Sequence, residues 1–275
     1  PCGTIAACRH QRTGRTCGAV TQSHPPKPLT WETLDWEILD RLRQGFLAPQ
    51  RSGRAYWQSE ADLAHYDFTY GERIGWKWDG LLAVLAGRGW SLPAGPVLDW
   101  GCGSGIAGRR VLGRFGTAVR PRLLLHDRSP KAMEFARKAA ETEFPGLEVA
   151  PHLAGAAAGS DTGEIGTLVV SHVLNELPNA DRRELLRTAR RATAVLWVEP
   201  GTHADSHGLI GVREELRREF GIVAPCPQAE RCGLTVADVV LEPLASSEAV
   251  LSEDEKEIGV AVIDIGGRSE ERRVG

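Results

Sequence analysis

After a polar, irregular stretch, apolar side chains recur at helical spacing in three successive segments. The first begins near Thr30, whose hydroxyl can cap a helix, and the next two cover about 59–66 and 70–87. Their apolar positions are Leu34, Ile38, Leu39 and Leu42 in the first, and Ile74, Trp78, Leu81, Leu82 and Leu85 in the third. We interpret Trp76 and Trp78 as core residues that pack against the domain that follows.

Short apolar runs then alternate with helical segments. The apolar runs, each of which we interpret as a strand, are 97–100, 122–126, 147–151, 166–171 and 194–199. The helical segments between them are 108–115, 130–143 and 181–192. Strands separated by helices pair in parallel through right-handed crossovers. The pattern therefore predicts an α/β fold with a doubly wound sheet and an N-terminal helical extension.

Charge separates the last part of the chain from the rest. The whole chain carries 33 Lys and Arg against 36 Asp and Glu, but residues 228–275 carry 5 against 11, and all eight Trp precede residue 198. Such asymmetry indicates a different origin or role for that part. We therefore predict four regions, which are a disordered or non-native leader over 1–28, a helical segment over 29–94, an α/β domain over 95–227 and a foreign fragment over 228–275.

Several classes of protein are excluded by composition. No apolar stretch approaches the roughly 18 residues that cross a bilayer, and no charged-then-apolar leader opens the chain. Six Cys without an export signal argue against a disulfide framework. We expect a cytoplasmic monomer that contacts no membrane.

The strongest local signal is the sequence Val-Leu-Asp-Trp-Gly-Cys-Gly-Ser-Gly over 97–105. An apolar strand runs into a glycine-rich turn and then a helix, at the edge of the sheet where open α/β proteins bind ligands. The next strand ends before Asp127, where a carboxylate can accept hydrogen bonds from ribose hydroxyls. A dinucleotide site would place its third glycine one residue after Gly105, and an acidic residue at Asp99 is atypical of it.

Asp99, Gly101, Gly103 and Gly105, together with Asp127, resemble motif I and the ribose site of class I S-adenosylmethionine-dependent methyltransferases. The resemblance implies a Rossmann-like class I methyltransferase fold with S-adenosylmethionine as its cofactor. It places the three glycines along the methionine moiety, Asp99 beneath it and Asp127 on the ribose. A glycine-rich turn that holds no ligand is the alternative.

The segment after the fourth strand, Ser171 to Pro178, holds further candidates. His172 is a candidate cofactor contact, and His172 or Asn175 could touch cofactor or substrate, although a capping role for Asn175 is equally open. Amino-methylating enzymes often carry Asn/Asp-Pro-Pro-Tyr/Phe here, and nothing in this chain matches it. No catalytic residue is predicted, but methyl transfer can proceed by alignment of the reacting groups alone.

Five segments resemble the methyltransferase-like proteins of the small ribosomal subunit and occur in the same order as in that family. Its mitochondrial members assist ribosome assembly. The five segments are 70–79 (YGERIGWKWD), 97–105, 173–177 (VLNEL), 198–202 (VEPGT) and 223–227 (VAPCP). The resemblance covers 30–227 and implies binding to the small subunit or its rRNA, with a role in rRNA methylation or ribosome assembly. A non-catalytic assembly scaffold that holds the cofactor structurally is the alternative.

The same resemblance implies a four-cysteine iron–sulfur site that begins at Cys226. Cys226 and Cys232 keep the first spacing, C-x5-C, but residues 233–275 contain neither Cys nor His. Two thiolates cannot complete a four-cysteine site. We therefore expect no bound cluster, and these two cysteines are the metal-ligand candidates of the chain.

Residues 229–267 instead resemble the bacterial cell-division protein FtsA, with 260–267 at the start of its phosphate-binding hairpin. The last residues, 268–275, fit neither family and are interpreted as an artefact. We hypothesise a chimeric reading frame, in which apolar runs at 236–241 and 259–265 could still pair as strands. An ATP-binding cell-division module is a third functional hypothesis, but it lacks most of an actin-like nucleotide site.

Overall fold

The computed structural model describes residues 29–47, 57–116, 121–152 and 165–224. The predicted leader, the FtsA-like stretch and the apolar runs at 236–241 and 259–265 lie outside the described residues. Within the described parts, every helix is too short or too polar to span a bilayer.

The described residues form one five-stranded sheet in which all neighbouring strands pair in parallel. Its strands are β1 (Val97–Trp100), β2 (Leu123–His126), β3 (Val149–Pro151), β4 (Ile165–Ser171) and β5 (Ala192–Val198). The spatial order is β3-β2-β1-β4-β5, so the chain reverses direction of progression at β1. This confirms the doubly wound α/β sheet, and it places the switch point, where such sheets bind ligands, at the carboxyl end of β1.

Helices cover both faces of the sheet and form an N-terminal extension. They are α1 (Trp36–Leu47), α2 (Glu60–Tyr66), α3 (Glu72–Gly87), α4 (Ile106–Val111), α5 (Pro130–Glu143), α6 (Asn179–Ala189) and α7 (His203–Leu216). A π-helical turn, Asp67–Gly71, joins α2 to α3, and a second one, Leu112–Gly116, follows α4. Single 3-10 turns occur at Trp31–Thr33 and Leu174–Glu176.

The starts of two helices, α1 and α7, differ from the sequence expectation in ways that capping residues explain. Thr30 caps only the short 3-10 turn, and α1 begins later because the Asp35 carboxylate accepts hydrogen bonds from the N–H groups of Glu37 and Ile38, at 3.0 and 3.3 Å. The helix α7 was not predicted from the sequence. Its start is fixed by Thr202, whose hydroxyl accepts a hydrogen bond from the Asp205 N–H.

Alternate residues of each strand pack against opposite helical layers. On one face Val97, Leu123, Leu125 and Val169 pack with α3, α4 and α5. On the other face Leu98, Leu124, Leu168 and Val170 pack with α6 and α7. The buried runs of the sequence are thus the strands of a sheet covered on both sides.

The two tryptophans assigned to the core lie in different environments. Trp78 is completely buried, as predicted, but the prediction for Trp76 is wrong because its side chain is 55% exposed. Residues two apart on a helix point about 200° away from each other, so one helix face cannot hold both.

Candidate functional site

The loop between β1 and α4 is built by three glycines in the left-handed region. Gly101, Gly103 and Gly105 have φ values of 73°, 52° and 80°. A Cβ at Gly101 would lie 2.4 Å from Val173 Cγ1, and one at Gly105 would lie 2.8 Å from Ala136 Cβ. These two glycines therefore permit close packing of the loop.

Gly103 differs from its two neighbours, because a Cβ there would meet no atom within 4 Å. Its backbone faces open space at the carboxyl edge of the sheet. The loop thus leaves one stretch of bare backbone that a ligand can approach.

Asp127 lies directly against this stretch. Its Oδ2 accepts a hydrogen bond of 3.0 Å from the Gly103 N–H, and its Oδ1 accepts one of 2.8 Å from the Ser129 N–H. Burial raises the pKa of the Asp127 carboxyl, and the two backbone hydrogen bonds oppose that shift. Each oxygen of a carboxylate has about two acceptor positions, so each keeps one for a ligand hydroxyl.

Asp99 lies below the loop and is 1% exposed. Its Oδ2 accepts a hydrogen bond of 3.0 Å from the N–H of Gly108, where a Cβ would lie only 2.7 Å from the same oxygen. Burial raises the pKa of Asp99 to about 7. Asp99 therefore ties α4 to the end of β1. That it lies beneath a bound methionine moiety stays a prediction.

His172 follows β4 and is the only non-glycine with positive φ, 56°, among the described residues. Its Nε2 lies 3.4 Å from Lys77 Nζ, and its Nδ1 lies 3.1 Å from Ser171 Oγ. Burial, together with the Lys77 charge, lowers the pKa of His172 to about 3, so the ring is neutral near pH 7.

The hydrogen-bond partners decide where the ring carries its proton. An ammonium group can only donate, so the His172 Nε2 accepts from Lys77 and the proton resides on Nδ1. That N–H donates to Ser171 Oγ, which also accepts a hydrogen bond of 3.0 Å from Trp78 Nε1. Both ring nitrogens of His172 are therefore already engaged.

Sequence reasoning missed Glu199, which fixes the segment after β4. Its Oε1 accepts hydrogen bonds from the N–H groups of Val173 and Leu174 and from Trp197 Nε1, at 3.3, 3.1 and 2.7 Å. Burial raises the pKa of Glu199 to about 6. The sequence did contain a signal for Glu199, since it comes just after β5 and the other acidic residues of the site, Asp99 and Asp127, also lie at strand ends.

The N-terminal extension forms a wall beside the glycine loop. Arg109 of α4 donates two hydrogen bonds to the Asp67 carboxylate, at 2.6 and 2.8 Å, and a third of 3.0 Å to Glu143. Burial raises the pKa of Tyr66, the last residue of α2, and the negative charges of Glu176, Asp67 and Asp127 raise it further. Neither Tyr66 nor Arg109 was a candidate from sequence.

A surface groove of about 340 Å³ lies between α2, α4 and α5, and its lining includes none of Gly103, Asp127 and His172. Its lining includes Arg109, Glu143, Lys138 and Glu60, which pair with one another as Arg109–Glu143 and Lys138–Glu60. Because these charges are already compensated, we assign the groove no ligand.

No three His, Cys, Asp or Glu side chains converge as metal ligands in the described part of the chain. Cys102 is a free thiol, and burial raises its pKa well above the usual value, so it is a poor nucleophile. Cys226 and Cys232 lie outside the described residues. Asn175 is exposed, within the 3-10 turn Leu174–Glu176.

A family model described as "Mitochondrial small ribosomal subunit Rsm22" matches residues 95–243. This match covers more than half of the chain and includes the glycine loop, Asp127, His172 and Glu199. The chain belongs to the Rsm22 family. Its parallel five-stranded sheet with helices on both faces is the α/β architecture that motif I implied. Rsm22 membership confirms the resemblance to methyltransferase-like proteins of the small ribosomal subunit.

The curated relatives match shorter parts of this Rsm22-family chain. FtsA of Neisseria meningitidis serogroup B is 66% identical over 38 residues, which are 14% of this chain and 9% of that protein. FtsA of Escherichia coli K12 is 60% identical over 124 residues, covering 38% of this chain and 29% of that protein. The chain thus spans less than a third of either relative.

These short partial matches are consistent with the chimera that the sequence predicted. The Rsm22 match continues to residue 243, past the predicted boundary at 227. The position of the junction stays a prediction.

Solved structures with similar coordinates are methyltransferases of low sequence identity. Magnesium protoporphyrin IX methyltransferase from Synechocystis PCC 6803, solved with bound S-adenosylmethionine, is 17% identical with a TM-score of 0.39, covering 64% of this chain and 78% of that one. The N-methyltransferase NodS from Bradyrhizobium japonicum WM9 is 12% identical with a TM-score of 0.33, covering 56% and 66%.

Proposed function

We propose that this Rsm22-family chain binds S-adenosylmethionine at the carboxyl ends of β1, β2 and β4 and acts on the small ribosomal subunit, by methylating its rRNA or by assisting its assembly. The observation that carries the proposal is the open backbone of Gly103 hydrogen-bonded to Asp127. Together they place bare peptide beside a carboxylate that has spare acceptor positions.

The residues at this edge match the chemistry of the cofactor. Asp127 offers one free acceptor position on each oxygen, which suits two adjacent ribose hydroxyls. Gly101 and Gly103 have no side chain, so the main chain can lie alongside the rest of the cofactor. Asp99 holds the loop in place through its hydrogen bond to Gly108. When bound, the cofactor supplies an electrophilic methyl group on a sulfonium.

A cofactor-binding assembly scaffold without transferase activity is the second candidate. It is favoured by the chemistry after β4, where His172 is neutral and both its ring nitrogens are engaged. The segment also lacks the Asn/Asp-Pro-Pro-Tyr/Phe sequence that accepts hydrogen bonds from a target amine. Transfer would then depend on alignment of an already nucleophilic acceptor with the methyl group.

Two measurements on the full chain test the proposal. Calorimetry with S-adenosylhomocysteine measures binding, with Asp127→Ala as the site variant and Asp40→Ala, an exposed carboxylate on α1, as the control. Loss of charged hydrogen bonds at Asp127 should weaken binding at least about 10-fold, and the control should bind as the wild type does. Incubation of the chain with radiolabelled S-adenosylmethionine and purified small subunits measures methyl transfer to rRNA.

The outcomes separate the candidates. Label that enters rRNA and is lost with Asp127→Ala supports the transferase. Binding without label supports the scaffold. Absence of binding by the wild-type chain, or equal binding by Asp127→Ala, rejects the proposed cofactor site.

A further inference from the structure

Lys77 on α3 is a half-buried cation that has no opposite charge beside it in the described part of the chain. Its Nζ lies 3.4 Å from His172 Nε2, and no carboxylate lies within ion-pair distance of it among the described residues. Burial lowers the pKa of Lys77, and no acidic group opposes that shift. Removing an ammonium from water without a partner is costly, so its burial here requires an explanation.

The other lysines of the described part of the chain are partnered in ordinary ways. Lys138 pairs with Glu60 at 3.1 Å, and Lys131 donates to the backbone carbonyl of Gln58 at 2.6 Å. Both of these lysines are exposed, so Lys77 is the one lysine of the described ranges that is partly buried, and its surroundings there supply a neutral acceptor and no anion.

The hydrogen bonds around His172 leave Lys77 with donors to spare. An ammonium has three N–H groups, and the imidazole accepts one of them. The ring cannot turn freely, since Ser171 Oγ holds its Nδ1 and Trp78 holds Ser171. This fixed ring keeps the Lys77 ammonium at the carboxyl end of β4, with two N–H groups available for an anion.

The position of Lys77 along the sheet edge indicates which anion. Asp127 follows β2 and His172 follows β4, and these two strands flank β1. Neighbouring strands are about 4.8 Å apart, so the two residues mark points about 10 Å apart across the glycine loop. If the cofactor has its ribose at Asp127 and crosses the glycine loop, its amino-acid end points toward β4.

The Gly101 contact supports this path. Gly101 lies against Val173, the residue next to His172, so the loop and the segment after β4 are in contact. Nothing larger than glycine fits at that contact. No side chain of residue 101 therefore stands between Gly103 and His172.

We propose that Lys77 binds the α-carboxylate of the cofactor's methionine moiety, and that His172 is the residue that positions the ammonium. This inference rests on the proposed function. It assigns the N-terminal extension a direct share in cofactor binding, because α3 carries the cation.

A pair of ligands that differ in one group tests the assignment. S-adenosylmethionine and its decarboxylated analogue share the ribose, the sulfonium and the terminal amine, and only the first has the carboxylate. Calorimetry on the full wild-type chain should show at least about 10-fold tighter binding of S-adenosylmethionine, the effect of one charge-assisted contact. In Lys77→Met the preference should fall to within about 3-fold, through loss of affinity for S-adenosylmethionine alone.

Two further variants serve as controls. Lys138→Met removes one surface cation of equal charge and should keep the wild-type preference. Lys77→Arg retains a positive charge and should keep part of the preference for S-adenosylmethionine. This variant also tests the assignment if Lys77→Met does not fold.

The outcomes distinguish the inference from the proposed function. If both ligands bind and Lys77→Met keeps the wild-type preference, Lys77 does not bind the carboxylate and the proposed cofactor site stands. If neither ligand binds the wild-type chain, both are rejected. If Lys77→Met keeps the preference but weakens binding to small-subunit rRNA, the anion is a phosphate and the assignment is also overturned.

Discussion

The three glycines between β1 and α4 are required for different physical reasons. Gly101 and Gly105 lie against Val173 and Ala136, so side chains there would disturb the packing of the loop. Gly103 has the same left-handed backbone but an unobstructed Cβ direction. Substitutions at these positions should therefore separate stability from binding.

We predict that Gly103→Ala weakens S-adenosylhomocysteine binding at least about 10-fold while it lowers the free energy of unfolding by only about 1–2 kcal/mol, the cost of a left-handed alanine. The added methyl group occupies the space that the ligand needs. Gly89→Ala is the matched control, since Gly89 has φ 72° and equally open surroundings away from the site. Calorimetry and urea unfolding on both variants measure the two effects, and equal binding by both would contradict the prediction.

Asp99 should make stability depend on pH. Its pKa of about 7 in the folded chain exceeds the usual value, so between about pH 4 and 7 the folded state keeps a proton that the unfolded state releases. The free energy of unfolding then falls as pH rises through this window, by at most about 1.4 kcal/mol per pH unit from this group.

Asp99→Asn should flatten that dependence, because an amide cannot ionise but its oxygen can still accept from the Gly108 N–H. Urea unfolding at about pH 5 and about pH 7 measures the difference, with Asp40→Asn as an exposed control. An unchanged slope in Asp99→Asn would mean that Asp99 ionises in the folded chain as it does in water.

Among single residues, those that belong to one short motif could be named as candidates from the sequence. Asp99 and the glycines are close together in the chain, and Asp127 occurs at the expected distance along it. Lys77 and Glu199 could not be predicted in the same way, since their partners His172 and Val173 lie in distant parts of the chain. Only the folded sheet brings these residues together.

At the scale of helices and strands, the link between α4 and the N-terminal extension is the contact of greatest interest. Arg109 is 12% exposed and binds Asp67 through two hydrogen bonds. Asp67 begins the π-helical turn that joins α2 to α3, and such turns often occur at functional sites. The pair therefore attaches the wall of the site to the helix that follows the glycine loop.

Arg109→Ala should lower the free energy of unfolding by about 3 kcal/mol, because it leaves Asp67 largely buried without its partner. Arg137→Ala is the control, since Arg137 is an exposed arginine that also pairs with two carboxylates, Glu134 and Glu141. Exposed pairs contribute little, so the control should unfold close to the wild type. Equal urea midpoints for the two variants would show that the Arg109 pair is not stabilising.

Most elements were predictable from hydrophobic pattern alone. The strands are continuous apolar runs, which is the pattern of a parallel sheet covered on both faces, and α5 has the predicted bounds. The helix α7 was missed, and its start depends on the Thr202 cap. The start of α1 was misplaced because two capping residues, Thr30 and Asp35, compete within a few positions.

For the whole molecule, the chimera hypothesis leads to a prediction about which part of the chain holds the site. Every residue that we place in the site, from Tyr66 to Glu199, precedes the predicted foreign fragment over 228–275. A chain shortened to residue 227 should therefore bind S-adenosylhomocysteine within about 2-fold of the full chain, a difference of less than about 0.5 kcal/mol. Calorimetry on both chains checks this, and a large loss of affinity would place part of the site in the fragment.

Cytoplasmic location and a monomeric state stay predictions.

The continuous backbone from α2 through the π-helical turn into α3 carries Tyr66, the last residue of α2, and Lys77, whose Nζ contacts His172 Nε2. At about 1.5 Å per residue they are about 16 Å apart along the axis, and one added or removed residue would rotate Lys77 by about 100° relative to Tyr66. The number of residues between them is therefore itself a constraint on evolution. A single-codon insertion there would disable the site while leaving every contacting side chain in the sequence.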